Sequence, residues 1–253
     1  MAQPRSSASD PAIPTASDTK SGYRTVLNHL LSTPHVFFSP PVSPHKLLII
    51  QNTSKNGGLP TIASLSLHPV LESILHLLNC DLPSAHFLCR HAEVAPKFES
   101  MFVHGLLHRI EGDIDNSRAW YGDVHDTEIF KHVWQETDAS SRPPAAREGW
   151  EHYLDRIERY RDRVASRAGK NSKKEPDKLS TPPGMDWGKE EQELRKASLW
   201  EMQQVLDFCE KKFSVKEVPN ANTEFLGRME TGDAEQAKMA QSMVIGGEGW
   251  RTF

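Results

Sequence analysis

Three polar side chains of one predicted helix have the types and spacing for metal chemistry: His104, His108 and Glu111. Offsets of four and seven residues place them on one face, because an α-helix turns once every 3.6 residues. Two imidazoles and a carboxylate can ligate a divalent metal ion and leave a coordination position open for water or substrate. This pattern predicts a metal site in a small metal-dependent or general acid–base enzyme.

A structural interpretation of the same histidines stands beside the metal site. His104 and His108 could pack at a helix interface with hydrogen-bond partners, and no HExxH or comparable signature is present in the chain. His76, His86 and His91 come shortly before them and are candidates for a further ligand.

The segment 101–124 positions these residues and reads as two helices joined by a tight turn. Apolar residues recur at helical spacing in both halves. Gly112 is expected to end the first helix, and Asp113 or Asp115 to cap the second. Trp120, Tyr121 and the later Trp134 are expected to lie in the core rather than to bind a cofactor.

An internal repeat relates this segment to the one before it. Placing Cys80-Asp81 over Gly112-Asp113 gives a period of 32 residues, so two helical hairpins are expected to stack. The second hairpin resembles a tetratricopeptide repeat at Gly105, Gly112, Asp113, Asp115, Tyr121 and Val124, with Ser117 where a small Ala is usual. It departs from that motif at His104 and His108, where Leu and an aromatic residue are usual.

The resemblance implies a concave groove suited to a peptide or a partner helix. Its residues here would be Glu99, Phe102, Leu106, Arg109 and Ile110, and Arg90 is counted with the binding residues. Arg90, His91, Arg109 and Asp113 could also form an ion-paired network or an anion site. Alternatively, Arg109 only pairs with Asp113 four residues later, and flanking helices cover the apolar members.

A wider resemblance rests on three runs: HFLCRH followed by ESMFVHGLLHRIEGDIDNSRAWYGDV, then SLWEMQQVLDFCEKKF, and the ending GGEGWRTF. Together they resemble a group of uncharacterised filamentous-fungal proteins over most of residues 68–253. Shorter versions of the central run resemble uncharacterised bacterial proteins. The resemblance implies no activity, so an interaction protein that uses the groove is the preferred hypothesis, and the metal-dependent enzyme is the alternative.

The pattern predicts an all-α fold of about seven to eight helices. Residues 1–20 are expected to be a disordered tail and 21–253 a single helical domain. Within it we expect a repeat-like core at 68–136, a linker at 137–147, a helix at 148–167, a mobile basic insert at 169–186, a helix at 188–213 and an irregular C-terminal tail. The apolar run LLII at 47–50 could be an edge strand or buried coil.

Composition excludes several classes of function. A net charge of −4 gives no electrostatic case for nucleic acid or an anionic membrane. No apolar run approaches the length of a membrane span, and the N-terminus lacks the apolar core of a secretory signal. The three cysteines are few and odd in number, which predicts free thiols in a reducing compartment, and we expect a cytoplasmic protein. Apart from a divalent metal, no cofactor is expected.

Overall fold

A computed structural model describes residues 16–32, 61–92, 98–136, 138–168 and 185–218. This part of the chain contains eight α-helices and no strand, which confirms the all-α prediction. The helices are α1 (Ala16–Ser32), α2 (Pro69–Leu78), α3 (Leu82–Ala92), α4 (Phe98–Glu111), α5 (Ile114–Val124), α6 (Glu128–Phe130), α7 (Trp150–Ala168) and α8 (Trp187–Phe213). A π-helical turn, Lys131–Gln135, continues α6.

The α2–α3 and α4–α5 pairs are hairpins with matching turns. The backbone N–H of Asp81 donates to the His76 carbonyl at 2.9 Å, and that of Asp113 donates to the His108 carbonyl at 3.0 Å. Both bonds span five residues, as at helix ends that finish in a left-handed residue. The 32-residue offset is therefore visible in the turn geometry, whereas the tetratricopeptide resemblance stays a prediction.

Gly112 lies at the end of α4 with φ +101°, beside the guanidinium of Arg161 from α7. Arg161 Nη1 donates to the carbonyls of Arg109 at 3.0 Å and Ile110 at 3.2 Å, and Nη2 donates to that of Glu111 at 2.7 Å. These are carbonyls that the last turn of a helix leaves without partners. A Cβ at position 112 would overlap this guanidinium.

A second close approach joins α4 to α5. A Cβ at Gly105 would lie 2.8 Å from the ring of Tyr121, so only glycine fits without a shift. Ser117 Oγ donates to the Gly105 carbonyl at 2.9 Å across the same contact. The small residues at these two positions therefore set the distance between the helices.

The long helix α8 packs against the hairpins and contributes buried side chains to the core. Arg109 Nη2 of α4 lies 3.0 Å from Glu201 Oε2 of α8, and both side chains are fully buried. Tyr121 and Trp134 donate to the other oxygen of Glu201 at 2.8 and 3.2 Å. Burial raises the pKa of the Glu201 carboxyl, and the Arg109 charge acts in the opposite direction.

Several boundaries differ from the sequence prediction. Helix α1 begins at Ala16, inside the predicted tail 1–20. The predicted linker forms short 3-10 turns at Ala139–Ser141 and Pro144–Ala146, and Ala145 and Ala146 are buried against the core. The run at 47–50, residues 169–184 of the insert and the tail from 219 lie outside the described residues.

Two further sequence predictions concern membranes and thiols. Within the described ranges, no helix combines the length and the apolar character needed to cross a bilayer. The three cysteines are free, with Cys89 and Cys209 buried and Cys80 partly exposed. The expectation of free thiols is therefore confirmed.

We expect Gly112→Ala to lower the free energy of unfolding by about 3 kcal/mol or more. An alanine at this φ costs about 1–2 kcal/mol, and displacing Arg161 removes hydrogen bonds worth about 1 kcal/mol each. Urea denaturation of the purified protein measures the change. Among the described residues, the other glycine with a positive φ is Gly149 (φ +103°), which has no atom within 4 Å of a Cβ, so Gly149→Ala should lose only the backbone term.

Gly122 gives the opposite control. It lies inside α5 with nothing within 4 Å of a Cβ, so Gly122→Ala should stabilise the protein by up to about 1 kcal/mol. Equal losses at positions 112 and 149 would contradict the capping role of Arg161.

Candidate metal centre

Three histidines from two helices converge at the seam between α3 and α4. His86 of α3 and His104 and His108 of α4 each offer a ring nitrogen, and these atoms lie within 4.8 Å of one another. Tetrahedral coordination at about 2.0–2.1 Å separates ligand nitrogens by about 3.3 Å. To bind one ion, the three nitrogens would have to approach one another by up to about 1.5 Å.

Local structure explains why these side chains meet. His104 and His108 are one turn apart, so they lie above one another on α4. Ser100 Oγ donates to the Cys89 carbonyl at 3.1 Å and joins the beginning of α4 to α3, which also carries His86. The position of His86 opposite the pair thus depends on the packing of α3 against α4.

Burial keeps two of the three imidazoles neutral near pH 7. The pKa of His104 is lowered to about 3, first because burial disfavours the charged ring and then because His108 and Arg90 repel it. The pKa of His86 is lowered to about 4 by burial and by repulsion from His104 and Arg90. Neutral imidazole is the form that binds metal ions.

Glu111 and Asn116 contact the third imidazole. Glu111 Oε2 lies 3.1 Å from His108 Nδ1, and Asn116 Nδ2 lies 3.2 Å from His108 Nε2. The sequence predicts Glu111 as a metal ligand. In the structure, its carboxylate contacts His108, which is itself a candidate ligand. A carboxylate in such a place orients a metal-binding imidazole.

Ring packing supports the structural interpretation of the same cluster. The rings of His104 and His108 stack with centroids 4.6 Å apart, and the ring of Trp120 also lies 4.6 Å from that of His104. Trp120 is thus part of the histidine cluster, whereas Tyr121 and Trp134 belong to the buried core. Stacked imidazoles are compatible with a packed interface as well as with metal binding.

The other two candidate histidines lie elsewhere. His76 Nδ1 is 3.1 Å from Asp81 and its Nε2 is 3.7 Å from Glu72. Burial alone would lower the pKa of His76, but hydrogen bonds to these carboxylates raise it to about 9. His91 Nδ1 lies 2.7 Å from the Phe87 carbonyl. Of the three candidates for a further ligand, His86 is therefore the one that lies beside His104 and His108.

The predicted groove residues lie in the interior. Phe102, Leu106 and Arg109 are fully buried, and Glu99 and Ile110 are 4% and 6% exposed. Lys212 of α8 donates to Glu99 at 2.7 Å, on the same side of α4 where Arg109 meets Glu201. A peptide would have to displace α8 to reach this surface, as in the alternative where flanking helices cover it.

The predicted cluster of Arg90, His91, Arg109 and Asp113 does not form one site. Arg109 binds Glu201 and Ser198 inside the core, and Asp113 caps α5 by accepting the backbone N–H of Asn116 at 3.2 Å. Arg90 is close enough to the histidine cluster to lower the pKa of His86 and His104. Arg109 and Asp113 therefore have separate structural roles.

Comparison with known proteins adds no assignment. No protein-family model matches the chain, and neither a curated protein nor a solved structure shows significant similarity to it.

The histidine cluster predicts acid sensitivity with a defined sign. The pKa of His104 is about 3 in the folded protein and about 6.5 when unfolded, so the unfolded chain binds the proton more readily. Its contribution to stability is complete above about pH 6.5 and is lost as the pH falls towards 3. Between pH 7 and pH 5 the loss is about 2 kcal/mol.

His104→Leu is the matched variant, because leucine fills a similar volume with an apolar side chain and removes the titrating ring. We expect urea denaturation to show that wild type loses about 2 kcal/mol more than this variant between pH 7 and pH 5. Parallel pH profiles for the two proteins would contradict a neutral, buried His104.

Proposed function

We propose that the protein binds one divalent transition-metal ion through His86, His104 and His108 and acts as a small metal-dependent enzyme. The observation that supports this most strongly is the convergence of three ring nitrogens within 4.8 Å. Imidazole nitrogen suits Zn²⁺, Cu²⁺, Ni²⁺ and Fe²⁺, and Zn²⁺ is the probe that we would use first.

The number of ligands favours an enzyme over a structural metal site. Structural zinc sites have four protein ligands, whereas catalytic sites have three and leave one position open. The group found in the described residues has three histidines. His86 of the cluster and the neighbouring Glu111, Asn116 and Trp120 are partly exposed, so the cluster lies near the surface of the protein. A bound ion would lower the pKa of water in the open position and so supply a nucleophile near pH 7.

The contact between Glu111 and Nδ1 of His108 supports the same proposal. Glu111 contacts His108 Nδ1 at 3.1 Å, which leaves Nε2 as the atom for the ion. In the related hairpin, His76 occupies the equivalent position and meets carboxylates. His108 therefore differs from His76 in having two further imidazoles beside it.

Metal uptake tests the proposal. Tag-free protein, stripped with a chelator and dialysed against Zn²⁺, should retain about one equivalent by elemental analysis. His86→Ala and the double variant His104→Ala/His108→Ala should retain none while circular dichroism shows a folded protein. His91→Ala is the matched control, because it removes a histidine from the same helix as His86 but from outside the cluster.

Equal uptake by all variants would show adventitious binding and contradict the site. A failure of folded wild type to take up zinc would contradict the proposal, and a protein-interaction role would then be the hypothesis to pursue.

An open coordination position is tested separately with Co²⁺-substituted protein. Azide should shift the visible absorption of the bound Co²⁺, because an anion can enter a position that no protein side chain fills. An unchanged spectrum at saturating azide would indicate a closed site and contradict the enzyme role while leaving metal binding intact.

A further inference from the structure

The side-chain amide of Asn116 contacts Nε2 of His108, the ring nitrogen through which His108 would bind an ion. Asn116 is in the first turn of α5, where its backbone N–H donates to the Asp113 side chain at 3.2 Å. Its Nδ2 is 3.2 Å from His108 Nε2. On the other side of the ring, Glu111 Oε2 is 3.1 Å from Nδ1. The turn between α4 and α5 thus holds both partners of this imidazole.

These two contacts assign the protons of a neutral His108. A carboxylate only accepts hydrogen bonds, so the Glu111 contact requires the proton on Nδ1. Nε2 then has a lone pair, which accepts an N–H of the Asn116 amide. A metal ion needs the same lone pair, and one lone pair cannot serve both.

We infer that Asn116 limits the metal affinity of this site by competing with the ion for His108 Nε2. The inference rests on the proposed metal-binding function and names a residue that regulates it. Binding exchanges the hydrogen bond from Asn116 for a coordinate bond, and no proton has to leave Nε2. The amide must rotate away, which its partly exposed position allows.

Removing the amide should therefore tighten binding. A hydrogen bond of this kind contributes enough to change the dissociation constant about 2- to 10-fold. We expect Asn116→Ala to bind Zn²⁺ more tightly than wild type by that factor. The backbone N–H that Asp113 accepts is retained in this variant, so α5 keeps its cap.

The experiment is a competitive Zn²⁺ titration of metal-free full-length protein against a chromophoric chelator, on wild type, Asn116→Ala and Asn116→Asp. Both variants remove the N–H donor, and the alanine variant does so without adding charge. Tighter binding by Asn116→Ala supports the inference. Unchanged or weaker binding overturns it, and weaker binding would indicate that the amide oxygen helps to hold the ion.

A second measurement does not depend on metal. Long-range ¹H–¹⁵N correlation spectra of metal-free wild type should show His108 protonated at Nδ1, with the Nε2 resonance shifted in Asn116→Ala. A proton on Nε2, or no shift, overturns the inference. If the spectra agree but neither protein binds zinc, the proposed function fails while the contact between Asn116 and His108 stands, so the two failures are distinguishable.

Discussion

The buried ion pair between Arg109 and Glu201 is the constraint on which the arrangement of the helices depends. Both side chains are fully buried, so each polar atom must find a partner inside the protein. Glu201 also accepts hydrogen bonds from Tyr121 and Trp134, which brings α5 and the π-helical turn to the same point. This pairing fixes the rotation of α4: one side faces α8, and His104 and the rest of its face turn towards α3 and α5.

Local patterns in the sequence were sufficient to predict the helices and the turn at Gly112, because periodicity and helix-capping residues act over a few positions. They do not decide whether the groove is open or covered by flanking helices. Helical spacing offers Asp113, four residues away, as one possible partner of Arg109, whereas its partner in the structure, Glu201, is on a helix far along the chain. The spacing on α4 likewise brought His104 and His108 together, whereas selecting His86 required the packing of α3 against α4.

Burying three histidines at a helix interface costs more free energy than burying apolar side chains there. Each imidazole has polar atoms that lose water on burial, and Leu or an aromatic residue at the same positions would pack without that cost. Metal binding gives a physical reason for three imidazoles at one point, since the ion would use a lone pair of each. The contact of Glu111 with His108 Nδ1 fits this account, because it leaves Nε2 as the nitrogen for an ion.

X-ray absorption at the zinc edge tests the central claim most directly, because it identifies the atoms around the ion. Protein loaded with one equivalent of Zn²⁺ should show nitrogen or oxygen neighbours at about 2.0 Å, with the outer-shell scattering of about three imidazoles and no sulfur at about 2.3 Å. His86→Ala should lose one imidazole contribution or the metal itself. A sulfur shell, or a spectrum of fully hydrated zinc, would contradict a site made by His86, His104 and His108.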